Sequence, residues 1–350
     1  ITNSIFYSPL NNEGDKEVQI QNGVEGEIHY SDIHGGLDAV GSSDGSSEIT
    51  AYENNIDADP LFVDPENGDY NLLASSPCIN SAHPDFTDAD NSPLDMGANY
   101  YHNDYTGSDW YVDIAGNDTT GTGANGSSFA TIAAALLWST SGDTIHVGPG
   151  TYFEHLELSH DINLIGTNGL DETIISGNDP EHLIDQLPLI NINGASASIN
   201  GPTTISGFTL RDNRSSTGGA INVGNVFEDL HLSYLDIINN YTLQFGGGIS
   251  LSNSSGHTYF YVVDIANNVA DQCGGGIYID DADITMHNAT ISGNRTNNGG
   301  SIEALQGGAG IFVDIGSAGP ETIALNQCNI QHNAIDESSD RGQGAGVYLA

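Results

Sequence analysis

The stretch LDIINN (235–240), followed by GGGI (246–249), returns as VDIANN (263–268) and GGGI (274–277). Working outward, the same phrase is found as FTLRDN…GGAI (208–221) on one side. On the other side it recurs as ATISGN…GAGI (289–311) and CNIQHN…GAGV (328–347). The last residues of these tails fall at Ile221, Ile249, Ile277, Ile311 and Val347, with spacings of 28, 28, 34 and 36 residues. The two longer spacings hold polar insertions, SIEALQ (301–306) and DESSDR (336–341). Self-similarity at a fixed period of this size is the mark of a solenoid.

Aligning the repeats gives columns. Phe208, Leu235, Val263, Ala289 and Cys328 form one apolar column, and Leu210, Ile237, Ile265, Ile291 and Ile330 form the next, two residues on. A period of two means strands with these columns facing inward. Three residues later come Asn213, Asn240, Asn268, Asn294 and Asn333. Asparagine tolerates the left-handed backbone of a bend, stacked amides can hydrogen-bond along an axis, and glycine lets the chain turn without a Cβ clash. One such unit cannot bury its apolar face alone. Stacking units about 4.8 Å apart closes the ladders and builds one core, so the expected fold class is all-β, a right-handed parallel β-helix.

The rest of the chain divides near residue 105. Phe129, Ile132, Ala133, Leu136 and Leu137 follow helical spacing, which predicts one short capping helix near 128–138, with Ser127 or Ser128 as N-cap and Gly142 past its end. Strands are expected at once after it, at TIHVG (144–148), TYFEHLEL (151–158), INLIG (162–166) and TIISG (173–177). The first hundred residues have longer loops and more proline, as at the end of a solenoid. Two partial modules in tandem are therefore expected: 1–105 as the C-terminal part of one β-helix with its end cap, and 106–350 as the cap and first rungs of a second. An end that precedes a start implies a segment of a longer protein with at least two modules.

NSIF (3–6), ADPLFVDPENGDYNL (58–72), SPCIN (76–80) and DMGA (95–98) resemble the C-terminal end of bacterial surface proteins with right-handed parallel β-helix repeats, of the choice-of-anchor type Q kind. WYVD (110–113), GTGA (121–124), SSFATIAAAL (127–136) and GDTIHVGPGTYFEHL (142–156) resemble the N-terminal cap and first rungs of the pectin-lyase-like superfamily. The repeats are similar to those of polymorphic outer-membrane proteins. Only residues 218–221 match the GGAI form of those repeats, and Leu or Ile stands where they have Phe. The resemblance implies fold far more than activity.

Composition bounds function. The chain of 350 residues has 47 acidic and 5 basic side chains, a formal charge of −42. Such a polyanion repels phosphate backbones, which excludes nucleic acid as a partner. No apolar run is long enough to span a membrane, and no leader is evident in this window. Cys78, Cys273 and Cys328 are far apart; Cys328 lies in an inward column, which predicts a buried, inert thiol, and no disulfide is expected from Cys78 to the others. N-x-S/T sites such as Asn117, Asn240 and Asn288 matter only in a glycosylating host.

The outward residue between the two inward columns is Thr209, Asp236, Asp264, Thr290 and Asn329. Asp236 and Asp264 therefore stack on successive rungs. They can be solvated surface charges, a cation-bridged pair, or a catalytic acid pair at about the 5 Å separation of a retaining glycosidase. For metal, calcium is the candidate cofactor: Asp85, Asp88, Asp90 and Asp95 lie in one loop, and Asp64, Glu66 and Asp69 surround a glycine turn. Calcium takes six to eight oxygens, which close-set carboxylates and carbonyls supply; ordinary Asx-rich turns are the competing reading. Asp280, Asp281 and Asp283 read as an exposed corner. The histidines show no HxH or HExxH spacing, and no GxSxG elbow occurs.

These observations favour an extracellular or cell-surface structural or adhesive rod, a segment of a large surface or filament-forming protein, without catalysis. Its partners would be other copies or modules, end-to-end or side-to-side, and a neutral polysaccharide or cell-surface ligand on exposed tyrosines such as Tyr234, Tyr259 and Tyr261. A carbohydrate-active hydrolase or lyase on the same fold is the alternative. The scarcity of cations argues against a lyase of acidic sugars.

Overall fold

The computed structural model describes residues 1–8, 16–42, 45–89, 92–102, 105–178, 187–194, 199–297, 307–314, 322–335 and 345–349. The insertions 301–306 and 336–341 and Asp90 lie outside the described residues. The chain divides into two compact units, 1–106 with 117–122, and 107–116 with 123–350.

In the larger unit the strands do not pair with their chain neighbours but with the equivalent strand one coil away. A first sheet runs through Asp109–Val112, Thr144–Val147, Asn163–Gly166, residues 203–206, 230–233, 258–261 and 284–287, and Ile323–Asn326. A second runs through Gly150–Tyr152, Thr173–Ser176, residues 208–211, 235–238 and 263–266, Thr290–Ser292 and Asn329–Gln331. A third runs through Leu156–Leu158, Ile190–Asn193, Ile221–Gly224, residues 249–252 and 277–280, Ile311–Asp314 and Val347–Leu349. All these pairings are parallel, so the chain visits the three sheets in turn on every coil. This is a parallel β-helix, as the column pattern predicts.

Leu210, Ile237, Ile265 and Ile291 pair in one unbroken register and are fully buried. Each such side chain contributes about 1.5–3 kcal/mol by leaving water, and the aliphatic file continues the core from coil to coil. Ile330 and Cys328, on the last of these coils, are half-buried. The expectation that the Cys328 thiol is buried is thus corrected.

The asparagine column forms a ladder along the interior. The backbone N–H of Asn240 donates to Oδ1 of Asn268 (2.9 Å), that of Asn268 to Asn294 (2.9 Å) and that of Asn294 to Asn333 (3.0 Å). The amide nitrogens of the same residues repeat the step at 3.0, 3.1 and 3.0 Å. The left-handed residue is not this asparagine but the one before it, at Asp212, Asn239, Asn267, Gly293 and His332, with φ between 56° and 65°. That one residue turns the corner and leaves the next free to point inward. Just beyond, the double glycines have two separate duties. Gly218, Gly246, Gly274 and Gly308 adopt positive φ, whereas a Cβ on Gly219 would stand 1.7 Å from the Gly247 carbonyl oxygen of the next coil.

The capping helix is Ile132–Trp138, shorter than the spacing predicts. Its N-cap is Thr131, and the Glu154 carboxylate accepts from the N–H groups of Ile132 and Ala133 at 2.9 and 2.8 Å. Orphan N–H groups at a helix start favour such a negative partner. The buried face is Ile132, Ala134 and Ala135, while Leu137 is exposed. Phe129, at 6.2 Å from Trp110 in a stacked pair, precedes the helix and closes this end of the core.

In the smaller unit the parallel pairs are short: Ile5–Phe6 with Asp32–Ile33, Val18–Ile20 with Val40–Ser42, and Glu25–His29 with Glu48–Glu53. One antiparallel pair, Phe62–Asp64 with Asp69–Leu72, follows. Val18, Ile28, Ile33 and Ala39 form its core with Phe6, Val40, Ile49 and Tyr52 packed against them.

Candidate functional site

The first and second sheets of the larger unit meet at a one-residue corner. Gly207, Tyr234, Val262, Asn288 and Gln327 occupy that corner on successive coils, all with positive φ between 51° and 84°. The side chains on either side of it are set outward by strand alternation. On the first sheet these are His231, Tyr259 and Thr285 in one file and Ser206, Ser233, Tyr261 and His287 in the next. On the second sheet they are Thr209, Asp236, Asp264 and Thr290.

The outward files make a polar and aromatic face. His231 stacks on Tyr259 with centroids 5.1 Å apart, and His257 lies against the same ring at 4.4 Å. His257 Nε2 meets Thr285 Oγ1 at 2.8 Å, which fixes that imidazole. Tyr234 and Tyr261 meet edge-on at 5.7 Å, and the Ser233 hydroxyl donates to Ser206 (3.0 Å). Tyr234 is 50 % exposed, Tyr261 47 % and Tyr259 36 %, so ring surface stays open to solvent.

Asp236 and Asp264 are register partners one coil apart, about 4.8 Å along the axis. Burial, then the charges of Asp264 and Asp171, push the Asp236 carboxyl above the usual carboxylate range. Burial pushes Asp264 the same way, though it stands more open and water screens its share. Asp171 comes from the turn whose Leu170 carbonyl accepts from Thr209 Oγ1 at 2.7 Å. The arrangement can hold a proton between carboxylates and bond hydroxyl groups; among the described residues neither acid has an ion-pair partner.

The carboxylates expected to hold calcium have backbone and side-chain partners within their own loops. Asp95 is 4 % exposed; its Oδ1 accepts from Asn80 N and its Oδ2 from Tyr101 N, both at 2.7 Å. Asp88 Oδ2 accepts from Asp95 N at 2.9 Å, and Asp85 is exposed. Asp64 caps the short turn Pro65–Asn67, accepting from Asn67 N and Nδ2 at 3.3 and 2.8 Å. Asp69 accepts from Asn71 N and Nδ2 at 3.1 and 2.7 Å, and Glu66 is exposed. Among the described residues no group of three or more His, Cys, Asp or Glu is placed to hold a metal ion.

Asp280, expected on an exposed corner with Asp281 and Asp283, is half-buried, as those two are. Burial, then Asp314 and Asp281, raise its carboxyl. Register explains this: Asp280 lies beside Asp314 of the next coil. Sequence reasoning also missed His231, His257 and Thr285; their place on the outward period of the first sheet was the available signal. It missed a second, smaller core as well. Phe245, Tyr278, Phe312 and Tyr348 stack on the outer side of the third sheet over Cys273.

No protein family is matched by the sequence, and no curated protein is matched either. Among solved structures, a pectin methylesterase in complex with a hexasaccharide is similar over 62 % of this chain and 66 % of that one, just under two thirds of its length. The identity is 12 % and the TM-score 0.37. A rhamnogalacturonan lyase is similar over 70 % of this chain and 87 % of that one, with 11 % identity and a TM-score of 0.25. Neither likeness bears on what this chain does. No helix among the described residues is long and apolar enough to cross a membrane.

Proposed function

We propose that the chain is a segment of an extracellular, non-catalytic β-helix rod in a large surface or filament-forming protein. Its partners are further copies or modules of that protein and a neutral polysaccharide lying along the tyrosine, histidine and aspartate face. The observation that supports this is the group of open rings beside stacked carboxylates on two successive coils. Sugar C–H faces pack on aromatic rings, and sugar hydroxyls bond carboxylate and imidazole acceptors. A charge of −42 keeps rods soluble and apart, and repels acidic polysaccharides.

The test is electrophoresis through gels loaded with neutral polysaccharides, read with a reducing-end assay. The rod reading expects retardation that Tyr259→Ala with Tyr261→Ala removes, and no new reducing ends. The second reading, a hydrolase, is favoured by the raised Asp236 and Asp264 pair at a suitable separation. Reducing ends that appear with the wild type and vanish in Asp236→Asn would establish it and overturn the non-catalytic reading. Neither retardation nor release would remove the carbohydrate partner altogether.

A further inference from the structure

A fourth, short sheet follows the asparagine ladder on successive coils: Arg214–Ser215, Tyr241–Thr242, Val269–Ala270, Arg295–Thr296 and Ala334–Ile335. Ser215, Thr242, Ala270 and Thr296 are buried, so strand alternation turns Arg214, Tyr241, Val269 and Arg295 outward in one file. The whole chain has five basic side chains, and two of them stand exposed here. Both are held in place. The Arg214 guanidinium lies over the Tyr241 ring at 4.5 Å, and the Tyr241 phenol bonds to Asp271. Asp271 Oδ1 accepts from Asn297 Nδ2, and Arg295 Nε donates to Asn297 Oδ1, both at 2.9 Å. A guanidinium stacked on a ring keeps its N–H fork for an acceptor, and a side chain fixed in advance loses less entropy on binding.

Acceptors lie at the far end of the third sheet. On each coil the fourth sheet precedes that sheet, and Gly224, Asp280 and Asp314 end its strands, so the two features stand at its opposite ends. Asp280 and Asp314 are outward neighbours one coil apart, and Asp281 adds its charge, so these carboxylates repel one another. Glu228 is exposed on the loop that leaves Gly224. The levels of the two features match. Arg214 and Arg295 are three coils apart along the fourth sheet, and Gly224 and Asp314 are three coils apart along the third, about 14 Å in each case. Arg214 shares its coil with Gly224 and Glu228, and Arg295 shares its coil with Asp314.

Resting on the reading that further copies are partners, we propose that a second copy of this chain, parallel to the first and level with it, sets the acidic end of its third sheet against the fourth-sheet face. Arg295 then meets Asp280 and Asp314 of the second copy, and Arg214 meets its Glu228. One guanidinium donates to both stacked carboxylates and offsets their repulsion. The repeat supplies the register, because equal coil spacing in two level copies brings both contacts into place at once. The charge of −42 on each copy opposes contact. At about 0.15 M salt, however, charges more than about 8 Å apart are largely screened, so the facing groups decide. Basic and acidic faces lie on different sides of one chain. The contact is therefore heterologous, and each copy keeps a face for the next, which builds an open side-by-side array.

The test is sedimentation equilibrium of this chain over a concentration series. The wild type should show a mass that rises with concentration past the dimer. Arg214→Gln with Arg295→Gln should weaken association about tenfold, equal to about 1.4 kcal/mol. Both side chains are exposed, so that variant keeps the fold. Glu228→Gln with Asp280→Asn and Asp314→Asn is the second variant, and it removes like-charge repulsion rather than packing. Each variant alone should stay monomeric at concentrations where the wild type assembles. Their equimolar mixture should form dimers and stop there, because only one intact pair of faces remains. A monomeric wild type, association untouched by the arginine variant, or no dimer in the mixture would each overturn the proposal. So would alginate bound through Arg214 and Arg295 by a chain that stays monomeric. Gel retardation by neutral polysaccharide is read separately through Tyr259 and Tyr261, so failure of the array leaves that part of the reading standing.

Discussion

Asn268 should be a costly single amide to remove from the interior ladder. Its side chain is fully buried. Oδ1 accepts from Asn240 N and Nδ2 at 2.9 and 3.0 Å, and Nδ2 donates to the Ile237 carbonyl and to Asn294 Oδ1 at 2.7 and 3.1 Å. Asn268→Ala leaves the Asn240 N–H and the Ile237 carbonyl buried without partners. Each orphaned group costs about 1–3 kcal/mol, so the sum is about 4 kcal/mol. With a urea dependence of about 3 kcal/mol/M, the midpoint falls by about 1 M or more. Asn213 provides the control. Its Nδ2 donates to the Leu187 and Gly219 carbonyls, no described residue donates to its Oδ1, and Leu187 is 52 % exposed, so that carbonyl regains water. Asn213→Ala should cost about 1–2 kcal/mol by the same reckoning. The assay is urea unfolding followed by circular dichroism, with amide exchange at residues 240 and 268 to catch local opening, since stacked repeats can unfold in parts. An Asn268→Ala midpoint within error of wild type, or an Asn213→Ala loss larger than that of Asn268→Ala, would refute the ladder argument.

Three further outcomes follow from buried polar groups. Ser215 and Thr296 hydroxyls are buried without a partner, in a file that Ala270 and Ile335 also occupy. Ser215→Ala and Thr296→Val should therefore hold or raise stability by up to about 1 kcal/mol in the same unfolding assay. Asp32 is fully buried; Oδ1 accepts from Ala58 N at 3.1 Å and Oδ2 meets the Cys78 thiol at 3.4 Å. Burial, against the pull of those two bonds and with help from Asp57 and Asp59, holds its carboxyl above the ordinary range. A raised carboxyl stabilises the fold below its unfolded value and loses that contribution as pH climbs through its folded value. Thermal melts of the wild type should thus rise from neutral toward mildly acid pH, with a smaller rise in Asp32→Asn; parallel profiles would sink the assignment. Asp95→Ala frees two backbone N–H groups and should cost about 3 kcal/mol. With its oxygens used in this way, chelator should leave the wild-type melt unchanged, and a drop would return the loop to calcium.

How much of this was readable in the residues depends on the period. The inward files were legible because Leu210, Ile237, Ile265 and Ile291 repeat at nearly constant spacing, and parallel stacking turns equal spacing into equal position. The Asp236 and Asp264 pairing was legible for the same reason. The helix was read too long because Phe129 and Leu137 keep the spacing of an apolar face without sharing one burial: Phe129 is buried ahead of the helix, while Leu137 is exposed. The acidic loops show a limit of another kind. Close-set carboxylates look alike in sequence whether they face an ion or a backbone N–H, and Asp95 shows the second use in folded form. Nothing local in TYFYVVD (258–264) marks which residue turns the corner. The answer is Val262, a residue type that avoids that conformation.

That corner yields a last prediction. Val262 has φ 56°, between Tyr261 and the Asp264 file, where the coils above and below place Asn288 and Tyr234 and an earlier one Gly207. A left-handed conformation costs an L-residue about 1–2 kcal/mol, and branching at Cβ makes Val one of the worst choices. Its side chain is 36 % exposed, so little burial is lost on replacement. Asparagine accepts this conformation and adds no chain entropy to the unfolded state as glycine would. Val262→Asn should therefore raise stability by about 1 kcal/mol, read as a higher urea midpoint. Strain of this sort persists where the surroundings hold it, and it gathers at sites that bind. If the strained corner aims Tyr261 and Asp264, the stabilised variant should also bind neutral polysaccharide more weakly. A variant that is less stable than wild type would show that packing around Val262 outweighs its backbone, and the link between strain and binding would fall with it.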